Sequence, residues 1–217
     1  MDQDRSFPPP QSVNPDARPR DPSASAPLAY LFWHWPASGI DGDVYEERMR
    51  DFHAALARPG SITFRVAGPS PVSGFHGPLY LDWYPVGGWA DLGVLNAEAV
   101  SGARRAPHDA AAGVSGGGHG EVRALIAGCG PLREATSARW SAKPAGTSYG
   151  DHLAAMNVRP GPGDAIWQRQ MVLGAAPELC VLSGRPSEEA HGRIPAPDPD
   201  GQAPVTQLEL VAEWPRR

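Results

Sequence analysis

The sequence predicts an α+β domain in which short strands alternate with a few helices. Its 217 residues are enough to bury a substantial core, and 41% hydrophobic with 20% charged residues is an ordinary globular composition. Residues 61–67 alternate strictly between apolar and polar side chains, as in a half-buried strand. Residues 79–112 combine an aromatic strand, a Gly-Gly corner and a long Ala-rich helix, and the other elements can be read as partners of this unit.

Composition and charge exclude several classes of function. The net charge is −5 and the basic residues are scattered, which argues against nucleic acid as a partner. No apolar run has the length of a membrane span, and the N-terminus lacks the apolar core of a signal peptide. Cys129 and Cys180 form no paired motif and each has apolar neighbours, which predicts buried free thiols and, by elimination, a cytoplasmic location.

The N-terminal segment is expected to be a disordered tail. Residues 1–27 are rich in proline and polar residues, and only Phe7 and Val13 could anchor the segment to a core. Such a stretch cannot bury enough apolar surface to offset the entropy lost on ordering.

Residues 28–130 are predicted to form a first structural unit. Residues 28–35 are apolar on both faces and predict a central strand, and a helix follows from Asp41 or Asp43 to about Ala57. Strands are predicted at residues 61–67 and 79–85. A helix from about Trp89 to Ala103 is ended or kinked by Pro107. A Gly-rich loop precedes residues 121–127, which are interpreted as a strand although a helix would also fit.

Residues 131–217 repeat the same order more weakly. Strands are predicted at residues 137–143, 165–173, 178–183 and 207–213, with a short helix at residues 147–156. A Pro-rich loop at residues 184–204 stands where a second helix would be expected.

The chain resembles the dimeric α+β barrel superfamily in the order of its elements. It also resembles that superfamily in the aromatic strand, Gly-Gly corner and long helix around Trp83 to Ala103. Members of that group dimerise or fuse two ferredoxin-like units. The resemblance implies two packed ferredoxin-like halves, residues 28–130 and 131–217, in a monomer or a homodimer. The superfamily includes cofactor-free monooxygenases, haem-binding enzymes, isomerases and proteins with no known activity. Haem is therefore an option, although no motif requires a cofactor.

Polar side chains stand at strand positions that would otherwise be dry. If they face one side of a sheet, they would line a ligand pocket between the sheets of a barrel, with tryptophans as aromatic walls. The alternative is that these strands are half exposed and the polar residues face water. The polar set is His34, Arg65, Asp82, Arg139, Lys143, either Gln168 or Arg169, Gln170 and Glu209, and the walls are Trp33, Trp35, Trp83, Trp140 and Trp167.

Two histidines are candidates for acid/base chemistry. His34 is flanked by tryptophans on a buried strand and could bind haem iron or act as a base. His108 follows Arg104 and Arg105 and precedes Asp109, a carboxylate that could orient its imidazole. The same charges could instead complement a helix dipole. His53 is predicted to be a packed core histidine, and the seven histidines show no zinc-ligand spacing.

Ser148 lies in a Gly-x-Ser-x-Gly pattern at residues 146–150, between a predicted strand and a helix, as in the nucleophile elbow of a serine hydrolase. Ser148 with Asp151 three residues on is also typical of a helix cap. The capping interpretation is favoured, because the chain lacks the repeated βα units of a hydrolase fold.

The leading hypothesis is an enzyme of oxygenase or isomerase type that acts on a small apolar or aromatic anionic compound. His34 or His108 would be the catalytic acid/base, and Arg65, Asp82, Trp83, Arg105, Lys143 and Arg169 would bind the substrate. The alternative is a non-catalytic ligand-binding or accessory protein of the same fold.

Overall fold

The computed structural model describes residues 27–68, 71–72, 77–156, 160–161, 163–172, 179–184 and 205–213. The predicted tail and most of the predicted loop at 184–204 therefore lie outside the described residues. In the part of the chain that is described, no helix is both long enough and apolar enough to cross a membrane.

The described residues form eight strands and four α-helices, with short 3₁₀ turns at Gly102–Arg104 and Leu132–Glu134. In chain order the elements are β1 (Leu28–Pro36), α1 (Gly42–Leu56), β2 (Ile62–Ala67), β3 (Leu79–Val86), α2 (Trp89–Ala99), α3 (Arg105–Val114), β4 (Ser115–Gly128), β5 (Ser137–Ser141), α4 (Tyr149–Met156), β6 (Ala165–Val172), β7 (Leu179–Ser183) and β8 (Val205–Glu213).

The strands close into a single antiparallel barrel in the order β1-β3-β2-β8-β5-β7-β6-β4. The first four strands are joined to the last four by two pairings, β2 with β8 and β4 with β6. The sheet therefore closes within one chain, and no described strand is left with an open edge.

The barrel interior is a filled core. Trp33 packs at 5.1 Å from Trp140, and Trp83 packs at 5.4 Å from Trp167, measured between ring centroids. Together with aliphatic side chains from all eight strands, these rings occupy the space in which a pocket between the sheets was predicted. Four of the five tryptophans expected to be pocket walls are thus buried core residues, and the fifth, Trp35, is partly buried against them.

A buried ion pair lies in this core. Arg123 donates from Nε and Nη2 to the two carboxylate oxygens of Glu121, at 3.0 and 2.9 Å, and both side chains are fully buried. Trp33 Nε1 donates to Glu121 at 3.3 Å, and the Arg123 guanidinium lies 5.0 Å from the Trp140 ring centroid. The alternation of β4 turns both charged residues inward.

Both cysteines are free thiols, as predicted, but only one is buried. Cys180 lies in the core, where burial raises the pKa of its thiol. Cys129 is exposed because it follows the last residue of β4, so the prediction of burial is wrong for this residue.

Helices α1, α2 and α3 cover the outer face of β1, β3 and β4. The predicted apolar stripe of α1, Tyr45, Met49, Phe52 and Leu56, is buried against the sheet. Asp41 caps α1 by accepting a hydrogen bond from the Asp43 backbone N–H at 2.9 Å, which decides between the two predicted caps.

Two predicted boundaries differ from the structure. The long helix is two helices, because α2 ends at Ala99 and α3 starts at Arg105. Pro107 lies in the first turn of α3, where a missing N–H costs no helical hydrogen bond. The predicted Gly-rich loop is the start of β4, whereas the strand predicted at 121–127 is confirmed.

Aromatic rings on β1 explain why the start of β4 is rich in glycine. A Cβ atom on Gly118 would lie 2.5 Å from Phe32 Cζ, and one on Gly120 would lie 2.4 Å from Tyr30 Oη. The rings of β1 therefore lie directly over β4 and occupy the space of its missing side chains. Glycine is required here for close approach.

Candidate functional site

A cavity of about 860 Å³ lies between the outer face of the barrel and helices α1, α2 and α3. Its volume is in the range of sites for drug-sized small molecules. Its polar lining comprises Tyr30, His34, Asp82, Tyr84, Asn96, His108 and Ser115, and its apolar lining includes Phe32, Met49, Phe52, Leu56, Trp89, Leu92, Leu95, Ala99, Val100 and Ala111.

One face of α2 forms an apolar wall of this cavity. Trp89, Leu92, Leu95 and Ala99 recur at helical spacing on α2 and line the cavity, as does Val100 directly after the helix. Trp89 is 48% exposed and Val100 is 46% exposed. A bound apolar molecule would bury this surface, which favours ligands with a large apolar body.

Flat rings form the floor of the cavity. Along β1, the rings of Tyr30 and Phe32 are inclined by 20° and those of Phe32 and His34 by 16°. His34 is also stacked on Tyr80, with 17° between the planes. These nearly parallel rings stand side by side and line this part of the cavity with aromatic surface, against which the rings of a ligand can pack.

A buried carboxylate lies beneath this floor. Thr63 Oγ1 donates to Asp82 Oδ1, and Tyr84 Oη donates to Asp82 Oδ2, each at 2.6 Å. His34 Nε2 and His53 Nε2 lie 3.2 and 3.3 Å from Oδ1. Burial raises the pKa of Asp82, but attraction to the two imidazoles outweighs it, so the pKa is held well below its usual value.

The hydrogen bonds fix the protonation of His53 Nε2. This nitrogen lies 2.9 Å from Thr63 Oγ1 and 3.1 Å from Tyr84 Oη. Each hydroxyl already gives its single hydrogen to Asp82, so both oxygens can only accept from His53. Burial and the Asp82 charge raise the pKa of Tyr84 well above its usual value, which keeps this phenol a donor.

His34 has a different environment at its two ring nitrogens. Nδ1 lies 2.6 Å from Tyr45 Oη, which in turn lies 3.2 Å from Ser115 Oγ. Nε2 is close to Asp82, but among the described residues it has no aligned hydrogen-bond partner. Nε2 is shielded from bulk water, although the His34 ring lines the cavity.

His108 lies at the rim of the same cavity. Its Nδ1 is 3.0 Å from Asp109 Oδ1, and its ring meets the edge of Phe52 at 5.6 Å. The hydrogen bond from His108 lowers the pKa of the exposed Asp109 carboxyl. The structure thus brings His34, Asp82 and His108 together at one cavity.

The remaining predicted site residues lie outside the cavity lining. Trp83 is in the barrel core. Arg65 donates to Glu46 and to Glu209, and its hydrogen bonds with Glu46 raise the pKa of the guanidinium. Arg105, whose side chain is 74% exposed, faces Asp109. The other two, Lys143 and Arg169, lie after β5 and on β6.

Lys143 and Ser148 both serve the turn before α4. Lys143 Nζ donates to the backbone oxygen of Thr147 at 2.6 Å. Ser148 Oγ donates to Asp151 Oδ2 at 2.7 Å and accepts from the Asp151 backbone N–H at 3.1 Å. These contacts agree with the capping interpretation of Ser148.

The cavity does not fit haem. An axial nitrogen would have to face the iron, whereas the nearest charged group to His34 Nε2 is the Asp82 carboxylate, 3.2 Å away. Among the described residues that line the cavity, none is an Arg or Lys that could pair with the propionates. Nor do the described residues contain a cluster of three or more His, Cys, Asp or Glu that could hold a metal ion.

Sequence reasoning missed Ser115 as a site residue, because it was assigned to a Gly-rich loop. His53 was predicted as a packed core histidine, and its fully buried, hydrogen-bonded side chain confirms this. Its contact with Asp82 could be anticipated only with the pairing of β2 and β3, which places Thr63 opposite Asp82.

A closed eight-stranded barrel with helices on its outer face is the architecture of the dimeric α+β barrel superfamily, which the sequence resemblance predicted. No protein-family model and no curated protein matches the sequence. Among solved structures, the chain is similar to a monooxygenase-like protein from Lactobacillus acidophilus, with 9% identity over 87% of this chain and 96% of that chain and a TM-score of 0.45. An anthrone oxidase-like protein (13% identity, 88% and 94% covered, TM-score 0.44) and a chlorite dismutase-like protein (9%, 85% and 95%, 0.44) are also similar. At such low identity these similarities carry no information about the reaction.

Proposed function

We propose that this protein is an enzyme that removes a proton from a small, planar, largely apolar compound, with His34 as the general base. The observation that carries the proposal is a buried imidazole beside an ionised carboxylate at the floor of an apolar cavity. Perturbed titratable groups in a concave apolar site are typical of catalytic centres.

The chemistry follows from the position of Nε2. A C–H or O–H bond of the substrate breaks, its electron pair stays on the substrate, and the proton goes to Nε2. The resulting imidazolium lies 3.2 Å from Asp82 Oδ1, which stabilises it. Asp82 itself stays ionised, because Thr63 and Tyr84 donate to it at 2.6 Å.

The substrate class follows from the lining. The nearly parallel rings on β1 and the apolar face of α2 fit a compound of two or three fused rings that carries an acidic C–H or O–H. We expect such a phenol or enolisable ketone to bind uncharged, since the predicted anion-binding residues Arg65, Arg105, Lys143 and Arg169 do not line the cavity. Both isomerases and oxygenases of such compounds can begin with this deprotonation.

We further infer that the barrel is a fusion of two ferredoxin-like halves, residues 28–130 and 131–217. This inference is supported by the strand orders β4-β1-β3-β2 and β8-β5-β7-β6, which are equivalent. Because the sheet closes within one chain, a second copy is not needed to complete it. The proposed active site belongs to the first half.

A non-catalytic binding protein is the second candidate, and one observation favours it. The carboxylate already accepts from Thr63 and Tyr84, with His53 directly beside it, as in a purely structural network. In that case a ligand would bind on the aromatic floor without conversion.

The test combines binding with hydrogen exchange. Bicyclic aromatic ketones and phenols, with 2-tetralone as the first probe, are titrated while the fluorescence of Trp89 is followed against a Trp89→Phe control. Exchange of the acidic hydrogens for deuterium is then measured by NMR in heavy water. We expect exchange that His34→Gln abolishes and His119→Gln, outside the cavity lining, preserves.

Three outcomes are distinguishable. Exchange that is lost in His34→Gln supports the enzyme, and the parallel variant His108→Gln shows whether the rim histidine contributes. Binding without exchange favours the non-catalytic protein. Exchange that is equal in wild type and His34→Gln refutes His34 as the base.

A further inference from the structure

We propose that Tyr45 and Ser115 are positioning residues that keep the proton of resting His34 on Nδ1 and so leave the Nε2 lone pair for the substrate. This inference rests on the proposed function, since it concerns how the base is prepared. It follows from counting the hydrogens along one chain of contacts.

The chain of contacts starts at the end of α3. The backbone N–H of Ser115 bonds to the Ala112 carbonyl, and the Ser115 hydroxyl donates to the Ala111 carbonyl at 3.0 Å. A carbonyl oxygen can only accept, so the direction of this bond is fixed. Ser115 Oγ has then used its only hydrogen.

This bond also fixes the direction of the next two hydrogen bonds, from Tyr45 to Ser115 and from His34 to Tyr45. Tyr45 Oη lies 3.2 Å from Ser115 Oγ and must donate, because Ser115 has no second hydrogen to give. Tyr45 Oη lies 2.6 Å from His34 Nδ1, and with its own hydrogen committed it must accept there. Nδ1 therefore carries a hydrogen. Burial raises the pKa of Tyr45, so its phenol keeps the hydrogen that this chain requires.

Asp82 acts against this arrangement. A carboxylate 3.2 Å from Nε2 favours a proton on that nitrogen, and neutral His34 has only one proton to place. The Nε2 contact is not aligned for a hydrogen bond, and Asp82 already accepts from Thr63 and Tyr84. The anchored Ser115 hydroxyl therefore decides which nitrogen is bare.

Ser115→Ala reverses the chain without touching His34 or Tyr45. Once its acceptor is gone, the Tyr45 hydroxyl turns its hydrogen towards His34 Nδ1, and neutral His34 must carry its proton on Nε2. The base is then blocked although its ring stays in place. Ser115→Thr keeps the hydroxyl and restores the wild-type arrangement.

The experiment is ¹⁵N–¹H NMR of full-length protein with ¹⁵N-labelled histidine, in which long-range couplings distinguish a bare ring nitrogen from a protonated one. His34→Gln assigns the His34 signals. We expect a bare Nε2 in wild type and Ser115→Thr, and a protonated Nε2 in Ser115→Ala. Tyr45→Phe, which also removes the acceptor at Nδ1, is a second variant with the same expected result.

Two measurements separate this inference from the proposed function. A protonated, neutral Nε2 in wild type, or a Ser115→Ala variant with unchanged His34 nitrogens, overturns the positioning role whatever the exchange assay shows. A bare Nε2 in a protein whose 2-tetralone exchange does not depend on His34 overturns the base and leaves the positioning intact. If His34 is the base and Ser115 positions its proton, Ser115→Ala lowers kcat for exchange at least tenfold and changes KM less than twofold.

Discussion

Asp82→Asn is the most informative single substitution, because the carboxylate joins the fold to the proposed chemistry. It is 2% exposed and is the acceptor for both Thr63 and Tyr84. Asparagine has nearly the same shape but only one acceptor oxygen and no charge. The change therefore tests hydrogen bonding and electrostatics while leaving packing intact.

The magnitude follows from the contacts. One of the two 2.6 Å hydrogen bonds is lost or reversed, and a buried donor without a partner costs about 1–3 kcal/mol. The lost hydrogen bond has a charged acceptor, and such bonds contribute about 1.5–3 kcal/mol. These terms overlap, so we expect Asp82→Asn to lower the free energy of unfolding by about 3 kcal/mol at pH 7.

The pH dependence has a defined sign. The folded-state pKa of Asp82 is depressed, so its contribution is present above the unfolded-state pKa of about 3.9 and is lost as the pH falls towards the folded-state pKa. The difference between wild type and Asp82→Asn is therefore full above about pH 5 and shrinks below about pH 4.

Urea unfolding followed by circular dichroism, at several pH values from 7 to 3, measures this difference. Asp109→Asn is the matched control, since it removes an exposed carboxylate that also contacts a histidine, and we expect it to leave the stability nearly unchanged. An Asp82→Asn variant as stable as this control at pH 7, or one whose deficit stays constant down to pH 3, would refute the assignment of Asp82 as a buried anion.

Three further outcomes are expected. Gly118→Ala should lower stability by about 1–3 kcal/mol in thermal or urea unfolding, because its Cβ would lie 2.5 Å from Phe32 Cζ, whereas Gly113→Ala, with nothing within 4 Å, should be neutral or stabilising by up to about 1 kcal/mol. Arg123→Met should lower the free energy of unfolding by roughly 3–5 kcal/mol, because it leaves Glu121 buried and unpaired. A double variant that also carries Glu121→Leu should recover much of that stability. A double variant no more stable than Arg123→Met would contradict this expectation. Light scattering should give the mass of one chain, and a stable dimer would show that the closed barrel is not the whole assembly.

Local sequence patterns predicted the elements well, because their signals are short-range. The stripe of α1 and the alternation along β3 depend on spacing alone, and the structure buries Leu81 and Trp83 in the barrel while Tyr80 and Asp82 face the helices. The Gly-rich start of β4 could not be predicted in this way. Glycine is depleted in strands, and here its place is explained by rings on β1, Phe32 and Tyr30, that are distant in sequence from Gly118 and Gly120.

The sequence also could not predict on which face of the sheet the cavity opens. Alternation shows that His34 and Asp82 share a face once β1 and β3 are paired, but it does not show whether that face is turned inward or towards helices. Of the predicted catalytic residues, His34 and His108 both line the cavity, and Asp82 joins them. The cationic residues were grouped by charge alone, and charge does not indicate position.

The location of the cavity follows from how the two faces of the sheet are filled. Large tryptophans from both halves of the chain pack against one another in the barrel interior. On the outer face, α2 is apolar yet buries only Leu95, while Arg58 holds its first turn through Asp91 and the Pro85 carbonyl. A helix anchored in this way stands off from the sheet, and the gap beneath it is the cavity. Residues on the inner face of α2, such as Leu92, should therefore set the size of the substrate, while β1 and β3 set the chemistry.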